Sequence, residues 1–356
     1  MTAPAASRPP EAVPQGEVLL RADRLEKHFP VRGHGSRRTA LKAVDGVTLE
    51  VRAGETLGIV GESGCGKSTL GRCLVRLTDI TKGTVTFEGR DITRLSRRAL
   101  RPVRRDLQMV FQDPYASLNP RRRIGDILSE PLEIHGYGDR RLRSARVREL
   151  LEVVGLNASH VDRFPHEFSG GQRQRVGIAR ALAMQPKVIV ADEPVSALDV
   201  SIQAQVLNLF ADLQDEYELT YVFIAHDLGV VQHVSTRIAV MYLGEIVELG
   251  AVGPLYARPA HPYTEALLSA APEVEEEGGT PRERILLTGD VPNPINKPSG
   301  CPFRTRCPYA QQICAEEHPP LADVAPGRTV ACHFPLITPN GDVAPHALSA
   351  KPPYRW

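Results

Sequence analysis

Residues Gly61-Glu62-Ser63-Gly64-Cys65-Gly66-Lys67-Ser68-Thr69 carry the pattern G-x-x-x-x-G-K-[ST]. Glycines at these positions let backbone N–H groups curl round phosphate oxygens with no Cβ in the way. A helix opening near Lys67 adds the positive end of its dipole. Lys67 reaches the β- and γ-phosphates, and Ser68 offers its hydroxyl to Mg²⁺. Downstream, Val188-Ile189-Val190-Ala191 is a short apolar run that ends in Asp192 and Glu193. Asp192 is placed to hold Mg²⁺, directly or through water, and Glu193 to take a proton from an attacking water. Each motif alone has a plain alternative, a glycine-rich turn or an acidic strand exit. Together, with a strand before the loop and a helix after it, they imply hydrolysis of a nucleoside triphosphate.

A second cradle stands between them. In Phe168-Ser169-Gly170-Gly171-Gln172, Ser169 caps a helix and the two glycines leave its first N–H groups open to an anion. One γ-phosphate does not need two such cradles from one chain, so this one is expected to serve the nucleotide of a partner.

The elements that must carry these residues are legible as short apolar runs at 56–60, Leu107–Phe111, Val188–Ala191, Tyr221–Ala225 and Ile238–Tyr242. Runs of that length suit buried, largely parallel strands, and helical patterns between them predict an α/β fold. A helix is expected over Lys67–Leu77. Strands are expected from Val18, with a break at Gly33–Arg38, and over Val44–Val51. The stretch from about 114 to 166 lacks such runs and carries helical patterns such as Arg146–Val154, so an inserted helical subdomain is expected there. Residues 1–17, rich in Ala, Pro and Ser, read as a disordered leader.

Composition narrows the class. Forty-three Lys and Arg against 42 Asp and Glu give a net charge of +1, which argues against a dedicated nucleic-acid binder. The cluster of arginines at Arg94–Arg105 and Arg121–Arg123 then reads as a solvated face or as contacts to an acidic partner. No run approaches the roughly 18 apolar residues of a membrane span, and the N-terminus has no apolar signal core. Of the 30 prolines, 18 lie in residues 251–356, together with Cys301, Cys307, Cys314 and Cys332. Their spacing, C-x5-C-x6-C-x17-C, lacks the close pairs that structural zinc favours. Four thiolates also suit an iron–sulfur cluster, and four reduced thiols in a packed module is the third reading. Cys65 and Cys73 read as packing residues.

From Val18 to Gly250 the motifs, in their order, resemble the ATP-binding cassette (ABC) family: a P-loop NTPase, or RecA-like, core with a helical subdomain. The resemblance implies that Phe168–Gln172 is the signature motif, acting through Ser169, Gly170, Gly171 and Gln172 on a partner's ATP. It implies that Gln112 senses Mg²⁺ together with Ser68 and Asp192, and that Ser196, Ala197, Leu198 and Asp199 form the D-loop. His226 would contact the γ-phosphate, and Phe29 would stack on adenine.

The stretch His261-Pro262-Tyr263-Thr264 and the later Gly300-Cys301-Pro302-Phe303-Arg304-Thr305-Arg306-Cys307-Pro308 resemble the C-terminal extension of oligopeptide/dipeptide importer ATPases, with the body most similar to their F subunit. The resemblance implies a cassette at 18–250, an extension with a four-cysteine module at 251–335 and a loose tail at 336–356. It implies ATP and Mg²⁺ as ligands and a 4Fe–4S cluster on the four cysteines. The implied partners are a paralogous ATPase, two membrane permeases and an extracytoplasmic peptide-binding protein, with this chain peripheral to the cytoplasmic face of the inner membrane. Nickel or another solute as cargo, and a non-transport role on DNA or ribosomes, are the alternative readings.

Overall fold

The computed structural model describes residues 16–32, 38–270, 285–287 and 289–349. The expected leader lies outside these residues except for Gly16 and Glu17, as does the end of the expected tail from 350. Twelve strands are described: β1 (Val18–Arg32), β2 (Arg38–Arg52), β3 (Thr56–Val60), β4 (Lys82–Phe87), β5 (Arg90–Asp91), β6 (Leu107–Val110), β7 (Val188–Asp192), β8 (Thr220–Ile224), β9 (Arg237–Tyr242), β10 (Glu245–Ala251), β11 (Ala322–Ala325) and β12 (Arg328–Val330).

They form two sheets. β2-β1-β4-β5 is antiparallel, and β11-β12-β10-β9-β3-β8-β7-β6 is mixed. The five strands from β9 to β6 pair in parallel. Every residue of β3, β7, β8 and β9 is buried, which is why each reads as an unbroken apolar run. The carboxyl ends of β3, β7 and β8 therefore release the phosphate loop, the Asp192-Glu193 pair and His226 on one side of the sheet.

The predicted helix after the phosphate loop is Lys67–Leu74, closed by Val75. Between β6 and β7 the chain is helical: Ile124–Ile134, Arg140–Val153 and Gly170–Leu182 enclose Ile127, Leu128, Leu150, Val154 and Val176.

The C-terminal extension shares the cassette's sheet and core. β12 pairs with β10 and β11 with β12, so the extension lengthens the main sheet by two strands. Tyr242 of β9, Tyr263 and Phe303 form an aromatic cluster with centroids 4.7–5.4 Å apart. Cys301 and Cys314 are buried in the same core as the helical region. Where a loose end was expected from 336, the chain stays packed. Leu336 and Ile337 are buried, Ile337 pairs with Val343, and a helix spans Pro345–Ser349. Ile337 joins Ala260, Val324 and Val330 in a small satellite core, and that apolar burial is what holds the segment.

Candidate functional site

Gly66 turns the phosphate loop with a φ of +108°, and a Cβ there would stand 1.9 Å from the Ala43 carbonyl oxygen. Only glycine meets both conditions. The loop then enters the helix Lys67–Leu74, so its N–H groups surround the mouth of a cleft of about 370 Å³. Residues Ser63–Thr69, Gln112, Glu193 and the ring of Phe29 line that cleft. Phe29 is partly exposed, with Lys27 Nζ 4.8 Å from its ring centre. Pro294 of the C-terminal extension, which the sequence did not place at this cleft, lines it too.

Lys67 is buried, and its Nζ donates to the Gly61 carbonyl at 2.7 Å and the Glu62 carbonyl at 3.0 Å. A phosphate oxygen is a charged and therefore stronger acceptor for the same donor. Cys65 Sγ lies 4.0 Å from Lys67 Nζ, and burial pushes that thiol up, which leaves it an inert packing group. Ser68 Oγ donates to Asp192 Oδ1 at 2.7 Å. Asp192 is fully buried, and among the described residues its Oδ2 has no hydrogen-bond donor, with Arg72 at 4.0 Å. Burial raises the Asp192 carboxyl pKa despite the Ser68 hydrogen bond. A divalent cation beside Ser68 would compensate that charge, so these residues fit Mg²⁺.

Glu193 takes the left-handed conformation, φ +45°, rare for a non-glycine residue. The turn aims its carboxylate at two residues from other strands. Gln112 Nε2 donates to Glu193 Oε2 at 2.9 Å, and His226 Nδ1 stands 3.4 Å from the same oxygen. Three residues separated by up to 114 positions thus converge on one carboxylate oxygen. Ser196 Oγ donates to the Glu193 carbonyl at 3.0 Å, and the Asp199 carbonyl accepts from Ile202 and Gln203 at the start of the helix Val200–Tyr217. The segment Ser196-Ala197-Leu198-Asp199 is in this way tied to the acidic strand end.

The second cradle is built as expected but does not face this cleft. Ser169 caps the helix Gly170–Leu182 in a reciprocal box with Gln172. A Cβ on Gly171 would meet Ile202 Cγ2 at 2.5 Å, so glycine also lets this helix approach the one beginning at Val200. None of Ser169, Gly170, Gly171 and Gln172 lines the cleft.

Cys301, Cys307, Cys314 and Cys332 all line one small cavity, with Phe303, Phe334 and His261. All are free thiols. The backbone N–H of Phe334, two residues on, donates to Cys332 Sγ at 3.4 Å. Burial, reinforced by the neighbouring cysteines, pushes the Cys307 and Cys332 thiols up to about 12. Among the described residues no three of these sulfurs lie within 4.8 Å of one another. A single tetrahedral ion with metal–sulfur bonds of about 2.3 Å needs separations of about 3.8 Å, so this is not a preformed one-metal site. Glu26, His28 and Asp45 do bring three ligand atoms that close, but Lys82, Lys42 and Lys297 already compensate the carboxylates.

A phosphate loop and an acidic strand end at the head of a parallel sheet, with a second cradle turned away, define the class: an ATP-binding cassette ATPase. The ABC transporter family model matches residues 44–196, and the model of the oligopeptide/dipeptide transporter C-terminal region matches 247–314. The oligopeptide transport ATP-binding protein AppF of Bacillus subtilis (strain 168) is 54% identical over 321 residues, 89% of this chain and 98% of that one. The di/tripeptide transport ATP-binding protein DppF of Pseudomonas aeruginosa (strain UCBPP-PA14) is 51% identical over 318 residues, again 89% and 98%. Among solved structures, the dimeric post-hydrolysis cassette MJ0796 bound to ADP and Pi is similar, with a TM-score of 0.59 and 30% identity over 66% of this chain and 99% of that one. The chain belongs to the ABC transporter family, among the oligopeptide and dipeptide transport ATP-binding proteins.

Proposed function

We propose that this chain is the ATP-hydrolysing subunit that energises import of di- or oligopeptides across the cytoplasmic membrane. It sits peripherally on the cytoplasmic face of the inner membrane against two permeases, pairs with a paralogous ATPase and draws cargo from an extracytoplasmic peptide-binding protein. The observation that carries this reading is similarity to named peptide-transport subunits through both the cassette and the C-terminal region. No helix among the described residues is long and apolar enough to cross a membrane, so the passage itself falls to other chains. Neither nickel import nor action on DNA or ribosomes draws support from these relatives.

In this reading residues 61–69 hold the ATP phosphates through Lys67 and the loop N–H groups other than that of Glu62, which is donated to Tyr263, and Phe29 stacks on the adenine. Ser68 and Asp192 hold Mg²⁺, with Gln112 in reach of the same region; the ion when bound neutralises charge on the phosphate oxygens. Glu193 Oε2 takes the proton of the attacking water, and Gln112 and His226 orient that carboxylate. Ser169, Gly170, Gly171 and Gln172 serve the nucleotide of the facing subunit. The four tail cysteines are read as ligands of a 4Fe–4S cluster. The cavity that the four cysteines share and the Phe334 N–H donated to Cys332 Sγ support this reading. The cluster would act in a structural or redox role.

Peptide uptake tests the proposal. A strain lacking the gene should lose uptake of labelled peptide, regained with the wild-type chain but not with Glu193→Gln. Unchanged peptide uptake with a fall in nickel uptake would overturn it. For the cysteines, protein purified without oxygen should carry iron and sulfide in near-equal amounts, and bound zinc without iron would sink the cluster.

A further inference from the structure

Glu62, the second residue of the phosphate loop, is held from three sides. Its carbonyl accepts from Lys67 Nζ at 3.0 Å, a contact within the loop. The other two contacts come from the C-terminal extension. Tyr263 Oη accepts from the Glu62 N–H at 2.8 Å. Arg306 grips both carboxylate oxygens of Glu62, Nη1 to Oε2 at 2.8 Å and Nη2 to Oε1 at 2.9 Å. This is a two-bond fork, the strongest geometry a guanidinium and a carboxylate can make. The Arg306 side chain is 8% exposed and that of Glu62 25%, so the pair is partly shielded from water.

The feet of both contacts are rigid. Tyr263 packs in the aromatic cluster with Tyr242 and Phe303. Arg306 lies in the turn between Cys301 and Cys307, where its N–H donates to the Phe303 carbonyl at 3.0 Å. This fork joins the C-terminal extension to the loop read as the phosphate site, across 244 residues of sequence.

We propose that the cysteine module is a strut for the phosphate loop, with Arg306 and Tyr263 as positioning residues that hold Glu62, and so the loop N–H groups, in the nucleotide-binding shape. The proposal rests on reading residues 61–69 as the phosphate site. It makes the module, remote in sequence from every ATP motif, a determinant of nucleotide affinity. Any change that loosens the turn between Cys301 and Cys307 reaches the nucleotide through Arg306.

The test is calorimetric titration of the full chain with MgADP, alongside thermal unfolding and ATPase kinetics. Arg306→Gln should weaken MgADP about tenfold, the order of one charge-assisted hydrogen bond. It should raise the ATPase KM by a similar factor and change kcat less than twofold. Arg306→Lys, which keeps the charge but not the fork, should fall between. Tyr263→Phe removes only the hydroxyl and keeps the ring packing, so it tests the second contact even if an Arg306 variant folds poorly. It should weaken MgADP severalfold. Wild-type MgADP affinity in both Arg306→Gln and Tyr263→Phe would overturn the strut, and a lower melting temperature with unchanged affinity would do the same. Lys67→Ala separates the two readings: undiminished MgADP binding there would overturn the phosphate site itself.

Discussion

At the Glu193 carboxylate, geometry and strain point the same way. The residue holds a left-handed backbone at φ +45° so that one oxygen meets both Gln112 and His226. Glu193→Gln keeps the size and the hydrogen bond but removes the base. ATPase turnover of the variant should fall by about 10²-fold or more, with MgATP binding kept and a closed dimer accumulating on size-exclusion chromatography. Undiminished turnover would take the role from Glu193. Lys67, Ser68, Asp192 and Glu193 were readable because each motif is a local spacing whose chemistry fits one use. Arg306 and Tyr263 were not, because they meet Glu62 across 244 and 201 residues, and nothing in an isolated Arg or Tyr reports such a distant partner. Phe29 was placed by resemblance alone; it lines the cleft, and its stacking on adenine stays a proposal.

Among the elements, the parallel strands were legible and the last two were not. β3, β7, β8 and β9 are buried on both faces and are apolar except at one end of each, where Thr56, Asp192, Thr220 and Arg237 stand. β11 exposes two of its four residues and β12 has only three, so neither has a pattern to read. What fixes β12 is a buried charge. Glu248 of β10 is fully buried and accepts from Arg328 Nε at 3.0 Å and from the N–H groups of Ala260 and His261 at 3.0 and 2.9 Å. Arg328→Met strands that charge and should cost about 3–5 kcal/mol in urea unfolding. Adding Glu248→Gln, whose amide oxygen still accepts, should recover part of the loss. The same corner predicts a pH dependence. Burial holds the neighbouring His261 down at about 3, despite a hydrogen bond to Ala331 that opposes it. An unfolded histidine binds its proton near pH 6.5. Between those values the unfolded chain binds more protons, so this contribution to stability is whole above pH 6.5 and is lost as pH falls toward 3. From pH 6.5 to 5 the loss is about 2 kcal/mol. His261→Gln should flatten the slope of unfolding free energy over that interval, and an unchanged slope would show that His261 is not its source.

For the whole molecule, the decisive fact is that the two anion cradles do not share a cleft. Ser63–Thr69 of the loop line one, and Ser169–Gln172, which cap the helix Gly170–Leu182, do not line it. In the proposed reading such a chain binds nucleotide alone and completes a phosphate cage when a second cassette brings its own capped helix to the first one's cleft. Binding and hydrolysis should therefore separate under mutation of the second cradle. Ser169→Arg puts a bulky cation where the capping hydroxyl stands, at a residue that does not line the chain's own cleft. MgADP affinity of the full chain should stay within twofold of wild type, while ATPase of the assembled pair falls by about 10²-fold, the scale on which loss of a phosphate-stabilising donor acts. Activity should also rise faster than linearly with protein concentration in dilute wild-type enzyme, because the competent species is the pair. A Ser169→Arg chain that hydrolyses at the wild-type rate, or a wild-type rate strictly proportional to concentration down to nanomolar protein, would mean that one chain completes its own site, against the placement of the two cradles.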